Sequence, residues 1–410
     1  MRKRLAALAA ICLGIFIVFP ATVYATGFRL PEQSASAMGM ASAFVGQADD
    51  ASAVWYNPAG MTQLSGTQVM GGLIAIYPAI THENNTVNPG TTDVSKREIH
   101  LPIHLYATYN TNDRLSFGIG VNNPFGLATD WDKADSATKY VATYSKVVTT
   151  EINPNFAYKI NSNLSFAAGI AYVTLRATLE KTVNVGTDTN FRLSGDGDGW
   201  GVNAAVLYKI SDSIGAGLSY RSRVKVDIDG NAELSGVASA SASTSITLPD
   251  LIQAGVSYKA SESLTLNADI DVTMWSTYDR IVVESTFPLF NATDEKGWKD
   301  VWCLRLGGQY KLSDQWKVKA GYLYDKNPVN EERFETRIPD SNRQGVSIGV
   351  GYAKGNISVD AAYLYLRFNN RTISNSLADN DANPLTPDDS LNGTYKSQAH
   401  LAGITVGYKF

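Results

Sequence analysis

Apolar and polar residues alternate along most of this chain, a pattern that predicts β-strands. The clearest run is Leu264 to Met274, where every second residue from Leu264 is apolar. The residues between them are polar or acidic, and include Asp269 and Asp271. Because successive side chains of a strand point to opposite faces, this run would have one apolar face and one polar face.

A tyrosine, a short polar turn and a new alternating run recur together at intervals of about fifty residues. The tyrosines are Tyr109, Tyr158, Tyr208, Tyr258, Tyr310 and Tyr352. Each unit predicts one long hairpin with a tight turn at one end and a long loop at the other. The last five of these tyrosines fall on the apolar face near the turn, as expected for an aromatic girdle at a lipid interface.

The number and length of the runs predict a membrane barrel. Runs of about ten residues, joined alternately by tight turns and long loops, are typical of strands that cross an outer membrane. Fourteen runs are found, beginning near Thr67, His100, Leu115, Thr149, Leu164, Gly199, Ser213, Ser245, Leu264, Trp298, Trp316, Gln344, Ile357 and Tyr395. The predicted fold is therefore all-β, a fourteen-stranded antiparallel transmembrane β-barrel over residues 67–410.

The first residues have the pattern of a secretory signal. Basic residues at positions 2–4 precede an apolar run and a small-residue cleavage site that ends at Ala25. The run is shorter than the ~20 residues that a membrane helix needs. We therefore expect a signal peptide over residues 1–25, with a membrane helix as the less favoured alternative.

Composition argues against several functions. The formal net charge of −4 gives no basic surface for nucleic acid. Cys303 is the one cysteine beyond the predicted signal, so neither a disulfide nor a cysteine metal site is expected. His100 and His104 would lie about 13 Å apart on a strand, too far for one metal ion. We expect no metal, no cofactor and, without a recognisable catalytic constellation, no enzymatic activity.

Two predicted inner faces become apolar toward the long-loop end of the barrel. The residues are Val173, Leu175, Leu179 and, last, Lys181 on one strand, and Leu364, Leu366 and Phe368 on another. An apolar wall that ends in a cation suits an amphiphile with an anionic head, since each buried methylene contributes about 0.8 kcal/mol. Packing against an internal plug is an equally open alternative.

Other inner faces are predicted to be charged. On one strand these residues are Arg221, Arg223, Lys225 and Asp227, and elsewhere Asp269, Asp271 and Arg305. Because these residues carry charges of both signs, structural ion pairs that hold a plug are a more favoured interpretation than a substrate site.

The loop of residues 130–148 has apolar residues at helical spacing. The pattern predicts an amphipathic helix, and its residues Tyr140, Val141 and Tyr144 are candidates for an outer capture groove. A helix that only covers the barrel mouth is the alternative.

Several stretches resemble the FadL/TodX family of outer-membrane channels for long-chain fatty acids and aromatic hydrocarbons. They include "TGFRLPEQSASAMGMASAFVGQADDASAVWYNPAGM" from Thr26, "NNPFGLATDW" from Asn122, "INPNFAYKIN" from Ile152 and "RIPDSNRQGVSIGVGY" from Arg337. They keep their order over the whole mature chain.

The resemblance implies an N-terminal hatch inside the barrel, residues 26–66. Its candidate residues are Asp49, Asp50, Asn57, Pro58, Ala59 and Gly60, and the two acids are expected to pair with inward arginines. The turn chemistry of the Asn-Pro-Ala-Gly stretch agrees with a compact plug.

The resemblance also implies a ligand site and a lateral exit. The exit would be a kink in the third strand at Asn123, Pro124, Phe125 and Gly126, where proline removes a ladder donor. The family's carboxylate-binding arginine falls on Lys181, which keeps the charge without the bidentate fork. A second basic ligand falls near Asp294, and Lys296 is the nearest cation.

These features together predict an outer-membrane channel of a Gram-negative bacterium for passive uptake of hydrophobic compounds. Long-chain fatty acids or related amphiphiles are the expected cargo; monoaromatic hydrocarbons, or a polar diffusion porin, are alternatives. The expected partners are a hydrophobic small molecule, outer-membrane lipid and lipopolysaccharide, with no nucleic acid, and the expected state is a monomer.

Overall fold

The computed structural model describes residues 27–374, 377 and 386–410. Within them, fourteen antiparallel strands close into a barrel, which confirms the predicted fold class. The predicted signal peptide lies outside the described residues.

Among the described residues, three of the fourteen strands are interrupted. The strands are β1 (Thr67–Asn84), β2 (Ile103–Asn110), β3a (Leu115–Asn122) and β3b (Gly126–Asp130), β4 (Tyr144–Lys159), β5 (Leu164–Asn184), β6 (Asp188–Lys209), β7a (Ile214–Arg221) and β7b (Val224–Leu234), β8a (Ala238–Leu248) and β8b (Leu251–Lys259), β9 (Leu264–Thr273), β10 (Val301–Lys311), β11 (Trp316–Asp325), β12 (Arg343–Lys354), β13 (Ile357–Phe368) and β14 (Gly393–Lys409). The barrel closes because β1 pairs along its whole length with β14.

Short elements decorate the long-loop end and the N-terminal segment. Thr92–Val94 pairs with β1 and Arg371–Ile373 with β14, while Arg280–Ser285 and Ala292–Glu295 form a hairpin between β9 and β10. The helices are α1 (Ala35–Met38), α2 (Ala53–Tyr56) and the 3₁₀ turns Pro58–Gln63, Trp275–Thr277 and Pro288–Phe290. Among the described residues no helix has the length and apolar character needed to cross a membrane.

The repeated tight turns share one local device. A side-chain oxygen at the start of the turn accepts hydrogen bonds from backbone N–H groups two and three residues later. The residues are Asn112, Asn161, Ser211, Ser261 and Ser313. These side chains hold the turn without help from the barrel, which explains why the repeat is visible in the sequence.

The predicted faces of β9 are found in the structure. Leu266 and Ile270 are 45% and 44% exposed on the outer wall, whereas Asp269 and Asp271 are buried inside. Tyr158, Tyr208 and Tyr310 are also exposed on the outer wall, next to the tight turns. Period-two alternation therefore gives the outer apolar surface directly.

The predicted inward charges of the seventh strand are wrong for three of four residues. Arg221 is buried, but Arg223, Lys225 and Asp227 are exposed on the outside. The strand breaks between Arg221 and Val224, and such a break shifts the register and exchanges the two faces.

The N-terminal segment, residues 27–66, lies inside the barrel and touches strands on several sides of it. Asp269 on β9 accepts hydrogen bonds from the N–H groups of Phe44 and Val45, at 2.6 and 2.8 Å. Thr405 on β14 accepts from the N–H of Ala35, and Ser347 on β12 from that of Ala41. The polar inner wall thus satisfies backbone groups that this irregular segment cannot satisfy by itself.

The Asn-Pro-Ala-Gly stretch fixes this segment to itself and to the wall. The Asn57 amide donates to the carbonyl oxygens of Val45, at 3.0 Å, and of Val206 on β6, at 3.1 Å. Pro58 begins the 3₁₀ turn that Asn57 caps. At Gly60 a Cβ would lie 2.3 Å from the carbonyl oxygen of Ala48, so only glycine fits.

Candidate functional site

The third strand is broken where the sequence predicts a kink. Asn122 pairs with Glu151 and Gly126 with Val148, so β3 has one residue more than β4 over this stretch, which is a β-bulge. The N-terminal segment covers the bulge from inside: Leu30 N–H donates to the Pro124 carbonyl.

A lateral cleft of about 460 Å³ lies beside this bulge. Its residues include Ile76, Ile99, Leu101, Leu127, Leu366 and Phe368. Ile99 and Leu101 are 63% and 57% exposed at its outer mouth, whereas Phe28 and Leu30 of the N-terminal segment line its inner part. The cleft is therefore lined both by buried residues of the N-terminal segment and by residues exposed at the protein surface.

A second, smaller cavity, which we call the upper cavity, has a volume of about 110 Å³. Its wall is mostly apolar and includes Leu175, Leu179, Ile228, Ile246, Ile281 and Val283. The wall comes from β5, β7b, β8a and the hairpin between β9 and β10, all at the long-loop end of the barrel.

The upper cavity and the lateral cleft share four lining residues, Phe28, Leu127, Val147 and Ile338. Phe28 is buried and packs on Phe125 and Trp275, with ring centroids 6.0 and 4.6 Å apart. Tyr278 and Trp298 also contact it, each with its ring centroid 5.9 Å away. Phe28 thus separates two adjoining apolar spaces.

The charged residues of the upper cavity form one polar cluster, Asp294, Lys296, Glu335 and Arg337. Lys296 is buried and forms ion pairs with Asp294, at 2.7 Å, and with Glu335. Arg337 Nε lies 3.3 Å from the second oxygen of Glu335. Burial by itself would lower the pKa of Lys296, but Glu335 and its neighbours raise it above its ordinary value, so Lys296 is charged.

The candidate ligand residues are divided between the two spaces. Leu175 and Leu179 line the upper cavity, whereas Leu366 and Phe368 line the lateral cleft. Val173 and Leu364 are buried in apolar clusters that also contain Phe28 and Met38, respectively, of the N-terminal segment. Lys181 is half-buried on β5 opposite Phe191, and lines neither space.

The predicted helix of residues 130–148 is wrong. Asp132 caps a turn by accepting from the N–H groups of Ala134 and Asp135, and β4 already begins at Tyr144. Backbone hydrogen bonds between this loop and β5, from Thr182 N–H to the Lys139 carbonyl for example, hold it against the barrel. Ala137 and Val141, two of the apolar residues, are buried in this loop although it forms no helix.

The three residues of the candidate capture groove differ in their surroundings. Val141 is buried and its carbonyl accepts from Arg337, at 2.6 Å. The Tyr140 hydroxyl donates to Asp188, at 2.9 Å, while Tyr144 pairs with Glu180 of β5. Val141 therefore connects this loop to the polar cluster.

Asp49 and Asp50 form no ion pair with an arginine in the described part of the chain. Asp49 accepts from Gln47, at 2.9 Å, and Asp50 from the Ser52 N–H, at 2.9 Å. The inward arginines bind elsewhere: Arg221 donates to Glu151 and to the carbonyl oxygens of Val54 and Trp55.

The sequence interpretation did not find Glu335 and Arg337. Both lie in "RFETR", where charges alternate at a spacing of two. In an extended chain that spacing places the charges on one side, a signal that would have identified them. Among the described residues no group of His, Cys, Asp and Glu is arranged to hold a metal ion.

Comparisons with known proteins agree with this geometry. The model of the family described as "Outer membrane protein transport protein (OMPP1/FadL/TodX)" matches residues 17–410. A putative outer membrane protein of Neisseria meningitidis, NMB0088, is 26% identical over 95% of this chain and 96% of its own length. The long-chain fatty acid transport protein of Salmonella typhi is 25% identical over 89% and 92%.

Two solved structures share the fold. A FadL homologue of Pseudomonas aeruginosa superposes with a TM-score of 0.83 at 20% identity, over 94% of this chain and 100% of that one. The toluene transporter TbuX of Ralstonia pickettii has a TM-score of 0.72 at 16% identity, over 92% and 98%.

Proposed function

Because this chain belongs to the family of outer membrane transport proteins that includes FadL and TodX, we propose that it takes up hydrophobic compounds by passive diffusion. Its location is the outer membrane of a Gram-negative bacterium. Family members are transport channels and not enzymes, and we extend that to this protein.

The observation that carries the proposal is the sharing of Phe28, Leu127, Val147 and Ile338 by the upper cavity and the lateral cleft. A hydrophobic compound enters the upper cavity, passes Phe28 and leaves sideways through the cleft. Most of the surface that lines this route is apolar, so that a hydrophobic compound is not returned to water on its way to the membrane.

Residues 26–66 act in this proposal as the hatch. The described part of the segment is mostly buried against the inner wall, which argues against a polar diffusion porin. The barrel works as a monomer, and its outer apolar side chains contact lipid and lipopolysaccharide.

Monoaromatic hydrocarbons are the second candidate cargo, beside long-chain fatty acids and related amphiphiles. The upper cavity of about 110 Å³ is near the size of an apolar cavity of roughly 150 Å³ that binds benzene. The structural neighbour TbuX of Ralstonia pickettii is a toluene transporter, which agrees with this cargo.

The test is to seal the bulge. In the double variant Pro124→Thr, Gly126→Val, the threonine restores a backbone N–H donor to the strand. The valine contacts Leu30, since a Cβ at position 126 would already lie 3.0 Å from the Leu30 side chain. Uptake of radiolabelled oleate and toluene should fall about tenfold or more, because passage through the wall is closed.

The matched control is Pro154→Thr, a proline replaced on the continuous strand β4. Folding of each barrel is checked by heat-modifiable gel mobility. Uptake by the folded double variant at the rate of the control would contradict lateral exit.

A further inference from the structure

The polar cluster of the upper cavity is balanced in charge. Lys296 and Arg337 supply two positive charges, and Asp294 and Glu335 supply two negative ones. Glu335 holds both cations, one with each carboxylate oxygen. The remaining lining residues carry no charged side chain.

This balance leaves the cluster without a net positive charge that could neutralise an ionised ligand. A bound carboxylate would bring a third negative charge next to the buried Glu335 and the half-exposed Asp294, in a space whose other walls are apolar. Buried like charges raise each other's free energy strongly, and a buried charge without a partner is strongly destabilising. An anionic head group is therefore disfavoured in the cavity.

An uncharged ligand meets no such penalty. The Nη1 atom of Arg337 is buried and has no hydrogen-bond partner among the described residues. A hydroxyl or carbonyl oxygen of a ligand near this atom would provide the missing acceptor, and apolar atoms would fill the rest of the cavity. The polar end is thus suited to a single neutral acceptor.

We infer that Glu335 is a specificity-determining residue which, by neutralising Lys296 and Arg337, makes the upper cavity select uncharged hydrophobic compounds over ionised fatty acids. The inference rests on the proposed uptake function and narrows its cargo. Glu335→Gln keeps the size and shape of the side chain but leaves the cluster with one net positive charge, which a carboxylate can balance.

The experiment compares 1-octanol with octanoate, two ligands of equal chain length, by isothermal titration calorimetry of the full barrel in detergent. At about pH 8 octanoate is fully ionised. The wild type should bind octanol at least about tenfold more tightly than octanoate. Glu335→Gln should remove most of that difference, chiefly by strengthening octanoate binding.

The matched control is Glu331→Gln, which removes an exposed acid from the same loop and should keep the wild-type preference. If Glu335→Gln does not fold, Asp294→Asn tests the same charge balance from the second carboxylate. Equal binding of both ligands by the wild type, or an unchanged ratio in the variants, overturns the inference while uptake stands. Failure of the wild type to bind either ligand overturns the uptake proposal as well.

Discussion

Arg29 Nη1 and Asp271 Oδ2 lie 3.1 Å apart, and both side chains are almost completely buried. Arg29 belongs to the N-terminal segment and Asp271 to β9, so this ion pair joins the segment to the wall. The Nε and Nη2 atoms of Arg29 have no hydrogen-bond partner among the described residues. The pair therefore holds the segment by one contact where a bidentate pair would supply two.

Replacing Asp271 tests this attachment. Asp271→Asn leaves Arg29 and Arg305 buried without their shared carboxylate, since Arg305 Nε lies 3.0 Å from the same oxygen. We expect the free energy of unfolding to fall by about 3–5 kcal/mol and the N-terminal segment to loosen. Urea unfolding and ion conductance in planar bilayers measure the two effects. Asp229→Asn, on the outside of β7b, is the control, and equal behaviour of both variants would contradict this role.

Asn57 gives a second, uncharged test of the segment. Asn57→Ala removes the hydrogen bonds to Val45 and Val206 and leaves two buried carbonyl groups without this donor. The expected loss is about 2 kcal/mol, at about 1 kcal/mol for each bond. Hydrogen exchange of residues 43–60 should become faster in this variant. Asn163→Ala, in an exposed turn, should leave that exchange unchanged.

The strands could be predicted from the sequence because their causes are local. Alternation places Leu266 outside and Asp269 inside, and the turn residues Asn161 and Ser211 close their hairpins without distant partners. A strand break is harder to read, because one additional residue after Arg221 exchanges the faces while the alternation continues on either side.

The candidate site could be predicted only in part because loops distant in sequence build its polar end. Leu175 and Leu179 follow from the inner face of β5. Lys296 and Glu335 form their ion pair from two different loops, and nothing local to either residue specifies that contact. The strand pattern favoured Lys181 as a ligand residue because Lys181 shares the inner face of the strand with Leu179. In the structure Lys181 lies beyond the cavity.

Asp340 should make stability depend on pH. It lies in the loop between β11 and β12, accepts from the Gly27 N–H at 2.9 Å, and has Arg343, Arg371 and Asp325 around it. Burial raises the pKa of Asp340 from 3.8 to about 7, and Arg343 opposes this effect. Because the folded pKa lies above the unfolded one, this contribution to stability is complete below pH 3.8 and is lost as the pH rises through about 7.

The measurement compares melting temperatures at about pH 5 and pH 8. The wild type should lose more stability over this interval than Asp340→Asn, in which the side chain cannot ionise. Asp135→Asn, in another outer loop, should behave as the wild type does. If the melting temperature falls as much in Asp340→Asn as in the wild type, Asp340 is not the group that causes the pH dependence of stability.

Phe28 should set the rate at which compounds pass from the upper cavity to the lateral cleft. Its ring lines both spaces and packs between Phe125 and Trp275. Phe28→Ala would join the spaces, at a cost of about 3–5 kcal/mol in the free energy of unfolding for the lost aromatic contacts. Uptake of a labelled hydrophobic compound should therefore rise several-fold although the protein is less stable. Phe28→Trp should slow uptake, because a larger ring must displace its neighbours before a compound can pass.

The opposite directions expected for uptake and stability separate a gate from a purely structural residue. A residue that only stabilises the barrel would, when truncated, lower both quantities through a smaller amount of folded protein. Phe117→Ala is the matched control, since Phe117 is 46% exposed on the outer wall and contacts neither space. Uptake per folded barrel is measured after quantifying folded protein by gel mobility. If Phe28→Ala lowers uptake per folded barrel, or Phe28→Trp leaves it unchanged, the passage between the two cavities does not control transport.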